Sequence, residues 1–428
     1  MSEVLFDLSR ISGWRNLFFV FAVGSYSVTQ ADLDSLRPLY WASLVFFLLS
    51  AALERHYSKQ KPIRLIARVP FVLWLLLVVG LCAASALWAI FPEAVLHSQY
   101  IPNVLYGTIT ICGMWLSIES WSDVVRFLKL YVISVLAMSL FLIFSQFLLG
   151  GFGRIGTVFD IVPNGPAMQM GFALMFCLML YGAGNCSKKA TVSIVVVLLL
   201  SIILTDSRKT MVASGLAIFL FVCYDKRAYL DLRKLVLAIP VVLVIVIAIF
   251  TIPFLNETIG YRLMGLLTGT FSDGSVDLSS LERDYYRETA LKLFAERPFL
   301  GIGFEGFAAY LQSIGYWHVA YSHCNYTELL ANLGVVGLVA YYSMYLTLIV
   351  RCIRYRQDSR FISYFILVML FIRLVVEYGQ VVYIDVDNYI VMLLMYASAY
   401  SFGCNPNSGG GGVAHARPSK FKSERCSV

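Results

Sequence analysis

Residues 69–90 read VPFVLWLLLVVGLCAASALWAI, 22 positions without a charged side chain. A helix needs about 20 mostly apolar residues to cross a hydrocarbon core roughly 30 Å thick, and only helices and closed barrels satisfy their own backbone there. The run shows no period-2 alternation, so it is not a barrel strand. Working outward, comparable runs fall at about 14–31, 37–53, 100–118, 127–149, 164–183, 189–205, 209–224, 234–254, 324–350, 361–380 and 387–403. The sequence therefore predicts an all-α polytopic membrane protein with about twelve transmembrane helices. The first run lacks a clear basic n-region and a small-residue cleavage site, and is read as an uncleaved helix.

Composition agrees. The chain has 428 residues, 59% hydrophobic and 14% charged, where soluble domains run at about 45–50% and about 25%. So little charge cannot coat a soluble surface of this size. Disorder, collagen-like repeats, a disulfide scaffold and a free nucleic-acid binder are excluded on the same figures.

The net charge of +7 is explained by where the basic residues sit. With the N-terminus inside, the inner segments carry 23 of the 33 Lys and Arg residues. This asymmetry orients the helices and predicts that both termini are cytoplasmic. The organisation expected is helices 1–9 over 1–254, a long outer loop over 255–323, helices 10–12 over 324–403, and a disordered cytoplasmic tail over 404–428 that can touch anionic lipid. Nine scattered cysteines include no CxxC or Cys/His cluster, so no metal or cofactor is expected.

A loop as long as 255–323 is functional or disordered. It contains a helical stretch from Leu281 to Phe294, whose residues 281, 285, 286, 290, 293 and 294 form an apolar stripe. A folded cap over the membrane is the expectation. Arg283 and Arg287 lie one turn apart on another face. Two readings stand for them: surface ion pairs with Asp284, Glu288 and their neighbours, or guanidinium forks for phosphate oxygens. Gly301-Ile302-Gly303-Phe304-Glu305-Gly306 matches G-x-G-x-x-G, but neither strand nor βαβ unit surrounds it. It is read as a turn whose glycines allow unusual backbone angles or close approach.

Tyr321-Ser322-His323-Cys324-Asn325-Tyr326-Thr327-Glu328 then leads into the tenth run. His323 is either an ordinary interfacial residue or a base, and Ser322 or Asn325 suits helix capping. Asp206-Ser207-Arg208-Lys209 is a second polar knot in a tight turn, where Arg208 is either a snorkelling cation or part of a site. Arg373 and Glu377 lie four apart within the eleventh run. Charges at mid-bilayer cost at least about 2.5–3.5 kcal/mol, so the two should face each other inside the protein.

Taken in order, Asp206-Ser207-Arg208, Arg283 before Ala290-Leu291, Pro298-x-x-Gly301-Ile302-Gly303, and His323-Cys324-Asn325-Tyr326 before Glu328 and Gly334-Val335-Val336-Gly337 resemble the O-antigen ligase and polymerase family. The resemblance is clearest over about 195–345. It implies a bacterial inner-membrane glycosyltransferase acting on the periplasmic face, inverting and metal-independent, with an architecture like that of the C-type glycosyltransferases. It implies that Arg208 and Arg283 bind the pyrophosphate of an undecaprenyl-linked glycan donor and that His323 activates the acceptor hydroxyl. Asn325, Glu328, Arg287 and Lys209 are possible supporting residues: Glu328 could orient His323, and Lys209 could add a third cation. The partners expected are that donor, a glycan acceptor, the bilayer and, for a polymerase, a chain-length regulator, with no nucleic acid.

The leading expectation is polymerisation of lipid-linked repeat units into O-antigen, capsular or exopolysaccharide. An O-antigen ligase using a lipid A core acceptor shares the donor chemistry. A transporter or flippase of lipid-linked glycan is the rival from another class, opposed by the single long outer loop and the lack of an obvious inverted repeat.

Overall fold

The computed structural model describes residues 5–29, 37–57, 69–98, 100–150, 164–225, 229–230, 247, 250–251, 278–316, 321–354 and 360–401. Fourteen α-helices of the described residues carry the architecture. They are α1 (Ile11–Thr29), α2 (Arg37–Tyr57), α3 (Val69–Ala84), α4 (Pro92–Leu96), α5 (Tyr100–Ser117), α6 (Trp121–Ser145), α7 (Asn164–Gly182), α8 (Lys188–Thr205), α9 (Arg208–Val222), α10 (Leu278–Glu296), α11 (Gly306–Ser313), α12 (Asn325–Arg354), α13 (Arg360–Glu377) and α14 (Val386–Ser401). A two-residue antiparallel pair, Tyr224–Asp225 with Tyr229–Leu230, follows α9.

Eleven of the apolar runs fall on these helices, whereas 234–254 lies almost entirely outside the described residues, as does the tail over 404–428. Among the described residues, five helical stretches are long and apolar enough to cross a membrane: Pro70–Leu87, Trp121–Leu149, Asn164–Gly182, Lys188–Thr205 and Asn325–Arg354. The protein is thus an all-α membrane protein.

Helix starts follow local chemistry. Ser120 and Asp123 form a capping box at α6, with Asp123 Oδ2 accepting from the Ser120 N–H at 3.0 Å. Ser187 caps α8 by accepting from the Ala190 N–H at 3.3 Å. Burial then sorts the helices. In α7, 83% of the spanning window is buried, against 28% in α8. α14 is buried from Val386 to Ser398. Helices apolar on every side belong in the middle, so α7 and α14 form the centre, against which α6 and α13 pack.

The run read as one span over 324–350 is two helical halves. α12 breaks at Gly334, where φ is 63° and ψ −163°. The freed backbone is satisfied by the turn after α10. Ile302 and Gly303 N–H donate to the carbonyls of Ala331 and Asn332 at 2.9 Å each, and Val335 N–H donates to the Pro298 carbonyl at 2.9 Å. A Cβ on Gly301 would lie 2.5 Å from the Asn332 carbonyl carbon, and one on Gly334 2.3 Å from the Phe299 oxygen. The glycines of this segment therefore permit backbone-to-backbone contact. Periodicity could not show the break, because the residues on both sides remain apolar.

The amphipathic α10 lies across this junction. Tyr286, Ala290 and Leu293 form a second small core with Ile302, Phe307, Leu311 and Ala331. Leu281 and Tyr285, read into the same stripe, are instead exposed, at 55% and 41%. The helix touches its neighbours along a narrower face than the sequence suggested.

Candidate functional site

Four segments meet beside the broken helix: the start of α9, the first half of α10, the turn at 321–324 and the corner after α13. Ser207 is the N-cap of α9 but does not cap it with its side chain; its hydroxyl instead pairs with Thr210 Oγ1 at 3.0 Å. Arg208 and Lys209 stand half-buried in the first turn, at the positive end of the helix dipole. Lys209 Nζ donates to the Gly379 carbonyl at 3.3 Å. Arg287 reaches the same corner from α10. Its guanidinium lies over the Tyr378 ring, 4.6 Å from the centroid, while Nη1 donates to Asp284 Oδ1 at 3.0 Å. The buried Nε of Arg287 has no hydrogen-bond partner among the described residues. Arg283, one turn earlier, is exposed.

His323 has left-handed backbone geometry, with φ 56°. Its ring lies parallel to Tyr286 with 6.2 Å between centroids, and Tyr321 lies 4.2 Å away on a tilt. Burial, followed by the nearby Arg283 and Lys209 charges and more weakly Arg287, pulls its pKa down to about 4, with Glu282 opposing. The imidazole is therefore neutral at pH 7 and able to accept a proton.

Glu328 does not touch the imidazole. It is buried and accepts from the Ser322 N–H at 2.6 Å and from Asn332 Nδ2 at 3.1 Å. It holds the backbone of Ser322, the residue before His323. Ser322 Oγ closes the turn by donating to the Cys324 carbonyl at 2.8 Å.

Asn325 is likewise committed to structure. Its Oδ1 accepts from Val382 and Tyr383 N–H at 2.9 and 3.1 Å, and its Nδ2 donates to Tyr342 Oη at 2.9 Å. Tyr342 Oη in turn donates to Glu377 Oε2 at 2.6 Å, and Arg373 Nε donates to Glu377 Oε1 at 3.1 Å. Tyr345 also donates to Glu377. The intramembrane pair does face itself inside the protein, and its oxygens are filled by α12 and α13 partners.

The structure brings Lys209, Arg283, Arg287 and His323 together, with Arg208 beside Lys209. Sequence reading did not assign Tyr286, Tyr321, Tyr378 or Gly379 to the site, and placed Tyr286 only in the apolar stripe. Tyr321 opens the stretch already singled out around His323. Tyr378 and Gly379 carry no local signal and enter the site only through packing. Among the described residues, no three His, Cys, Asp or Glu side chains gather as metal ligands.

The arrangement joins a neutral acceptor of protons to a concentration of positive charge. Clustered cations disfavour one another and are relieved by an anion carrying several oxygens. No curated protein matches the chain. The family model described as O-antigen ligase matches residues 193–342, a segment that contains every one of these cations and His323 but not Tyr378 or Gly379. Over this segment, about a third of its length, the chain is similar to the O-antigen ligase family.

Proposed function

We propose that the protein polymerises undecaprenyl-pyrophosphate-linked oligosaccharide repeat units, as an inverting, metal-independent glycosyltransferase. The observation that carries this reading is the neutral His323 set among Arg283, Lys209 and Arg287, within the segment that matches the family. Arg208 and Arg283 hold the pyrophosphate, supported by Lys209 and Arg287. His323 takes the proton from an acceptor sugar hydroxyl. The hydroxyl oxygen then bonds to the donor's anomeric carbon from the opposite side as the bond to the lipid pyrophosphate breaks. The leaving group departs with the electron pair, and the fixed cations match its charge. The two negative charges of the arriving donor also offset the cations around His323, so donor binding raises its proton affinity just when a base is required.

In this reading about twelve helices span the bacterial inner membrane in a C-type-like arrangement, both termini are cytoplasmic, and the site faces the periplasm. The polyprenyl chain lies among the helices and the glycan in water below α10. A chain-length regulator is a natural partner.

Purified protein given lipid-linked repeats alone should produce longer chains. His323→Ala should lower the rate by about 10²–10⁴-fold while the protein still folds and inserts. Arg208→Ala and Arg283→Ala should weaken donor binding. Unchanged donor affinity in both variants would remove the pyrophosphate assignment.

The description of the matched family supports a second reading, transfer of the glycan to lipid A core by the same site. Transfer to that acceptor, with no elongation of repeats, would select it over polymerisation.

A further inference from the structure

Five aromatic rings run outward from the proposed reaction centre. Tyr321 and His323 are 4.2 Å apart between centroids, His323 and Tyr286 6.2 Å, Tyr286 and Tyr316 5.8 Å, and Tyr316 and Tyr285 5.9 Å at an interplanar angle of 22°. Only Tyr286 is fully covered; it anchors α10 in the small core and donates from Oη to Glu282 Oε1 at 2.5 Å. The other three tyrosines keep large exposed areas: 38% at Tyr321, 36% at Tyr316 and 41% at Tyr285. They come from two segments far apart in the chain, so neither one helical stripe nor one turn accounts for the row.

Tyrosines near a bilayer are often interfacial anchors. That role fits poorly here. The helix bearing Tyr285 carries Glu282, Arg283, Asp284 and Glu288, all exposed, and such a surface belongs in water. A row of exposed rings edged by carboxylate and guanidinium groups has a different complement. The C–H groups on one face of a pyranose are weakly positive and settle on the negative face of an aromatic ring. Its hydroxyls are satisfied by neighbouring polar groups, here the side chain of Glu282 and the phenolic hydroxyls.

We propose that Tyr285, Tyr316 and Tyr321 form a carbohydrate subsite that seats consecutive sugar residues of the acceptor glycan and aims its terminal hydroxyl at His323. The imidazole lies within the row, with Tyr321 on one side and Tyr286, Tyr316 and Tyr285 following on the other. The acceptor's terminal sugar therefore meets Tyr321 beside His323, and its preceding sugars meet Tyr316 and Tyr285. The proposal names the acceptor site of the glycosyl transfer put forward above and rests on that reading.

Full-length protein in nanodiscs is tested in two ways. In the first, the probe is the soluble oligosaccharide released by mild acid from the host's lipid-linked intermediates, and its binding is measured by saturation-transfer NMR without any donor. In the second, transfer is assayed with acceptor and donor varied separately. Tyr285→Ala and Tyr316→Ala should each weaken oligosaccharide binding and raise the acceptor KM roughly five- to tenfold, with the donor KM unchanged. Phe at either position should restore both. If wild-type protein binds the oligosaccharide through these tyrosines but transfers nothing, the transfer reading fails and the subsite stands. If wild-type protein transfers glycan while both Ala variants bind and use it normally, the subsite is overturned. A loss of thermal stability or insertion in the Ala variants, with oligosaccharide binding intact, would identify the rings as membrane anchors and also overturn it.

Discussion

In the proposed role of base, His323 must be neutral to accept a proton and yet basic enough to hold one. Burial and the neighbouring cations secure the first condition by holding its pKa at about 4. Protonation would disable the base, so kcat/KM, which reports free enzyme and free substrate, should stay level as pH falls through 6.5 and decline only near 4. Arg283→Gln removes one of the repelling charges, so the acid limb should move up toward 6.5. A limb that stays in place would show that Arg283 does not act on the imidazole. The backbone at this residue is unusual too. Asp206, Glu305 and His323 are the non-glycine residues with positive φ among those described. One precedes Arg208 by two positions and one is the proposed base itself, as expected if strain collects around a working site.

Two elements convert sequence into site geometry, the broken α12 and the buried knot between α12 and α13. Gly334 combines a φ of 63° with a backbone approach that leaves no room for a Cβ. Gly334→Ala should therefore destabilise the protein by about 1–3 kcal/mol or more and lower its thermal midpoint in detergent. An unchanged midpoint would mean that the turn at 298–303 can move away at little cost. In the knot, Glu377 is the counter-ion of the buried Arg373 and also holds Tyr342, Tyr345 and Asn325. Glu377→Ala leaves Arg373 uncompensated and should cost about 3–5 kcal/mol, whereas replacing both Arg373→Met and Glu377→Leu should recover much of it. Equal stability of the single and double variants would argue against charge burial as the cause. The corner at Tyr378 and Gly379 follows directly from Glu377, so this knot also positions the partners of Arg287 and Lys209.

For the molecule as a whole, the asymmetry of Lys and Arg predicts an orientation that can be tested chemically. In a cysteine-free background, Glu296→Cys at the end of α10 should react with an impermeant thiol reagent added from outside. Lys189→Cys at the start of α8 should react only after the inner face is opened. Both positions are exposed. The reverse pattern would invert the assigned topology and put the site in the cytoplasm.

Membrane residence, the all-helical class, the approximate places of eleven helices and the order of the cationic motifs are all written in local composition. Hydrophobic runs report partition into lipid, and that is a property of each segment alone. The same holds for His323, Arg208 and Arg283, whose residue types stand out because so few charges accompany them. Tertiary structure alone decided the rest. It broke α12 at Gly334 by supplying the carbonyls and amides of 298–303, and it set the hydrogen-bond partners of Asn325 and Glu328. It also brought Tyr378 and Gly379 to cations more than 90 residues away. Hydrogen bonds and ring contacts between distant segments depend on how helices pack, and packing leaves no periodic trace in the chain.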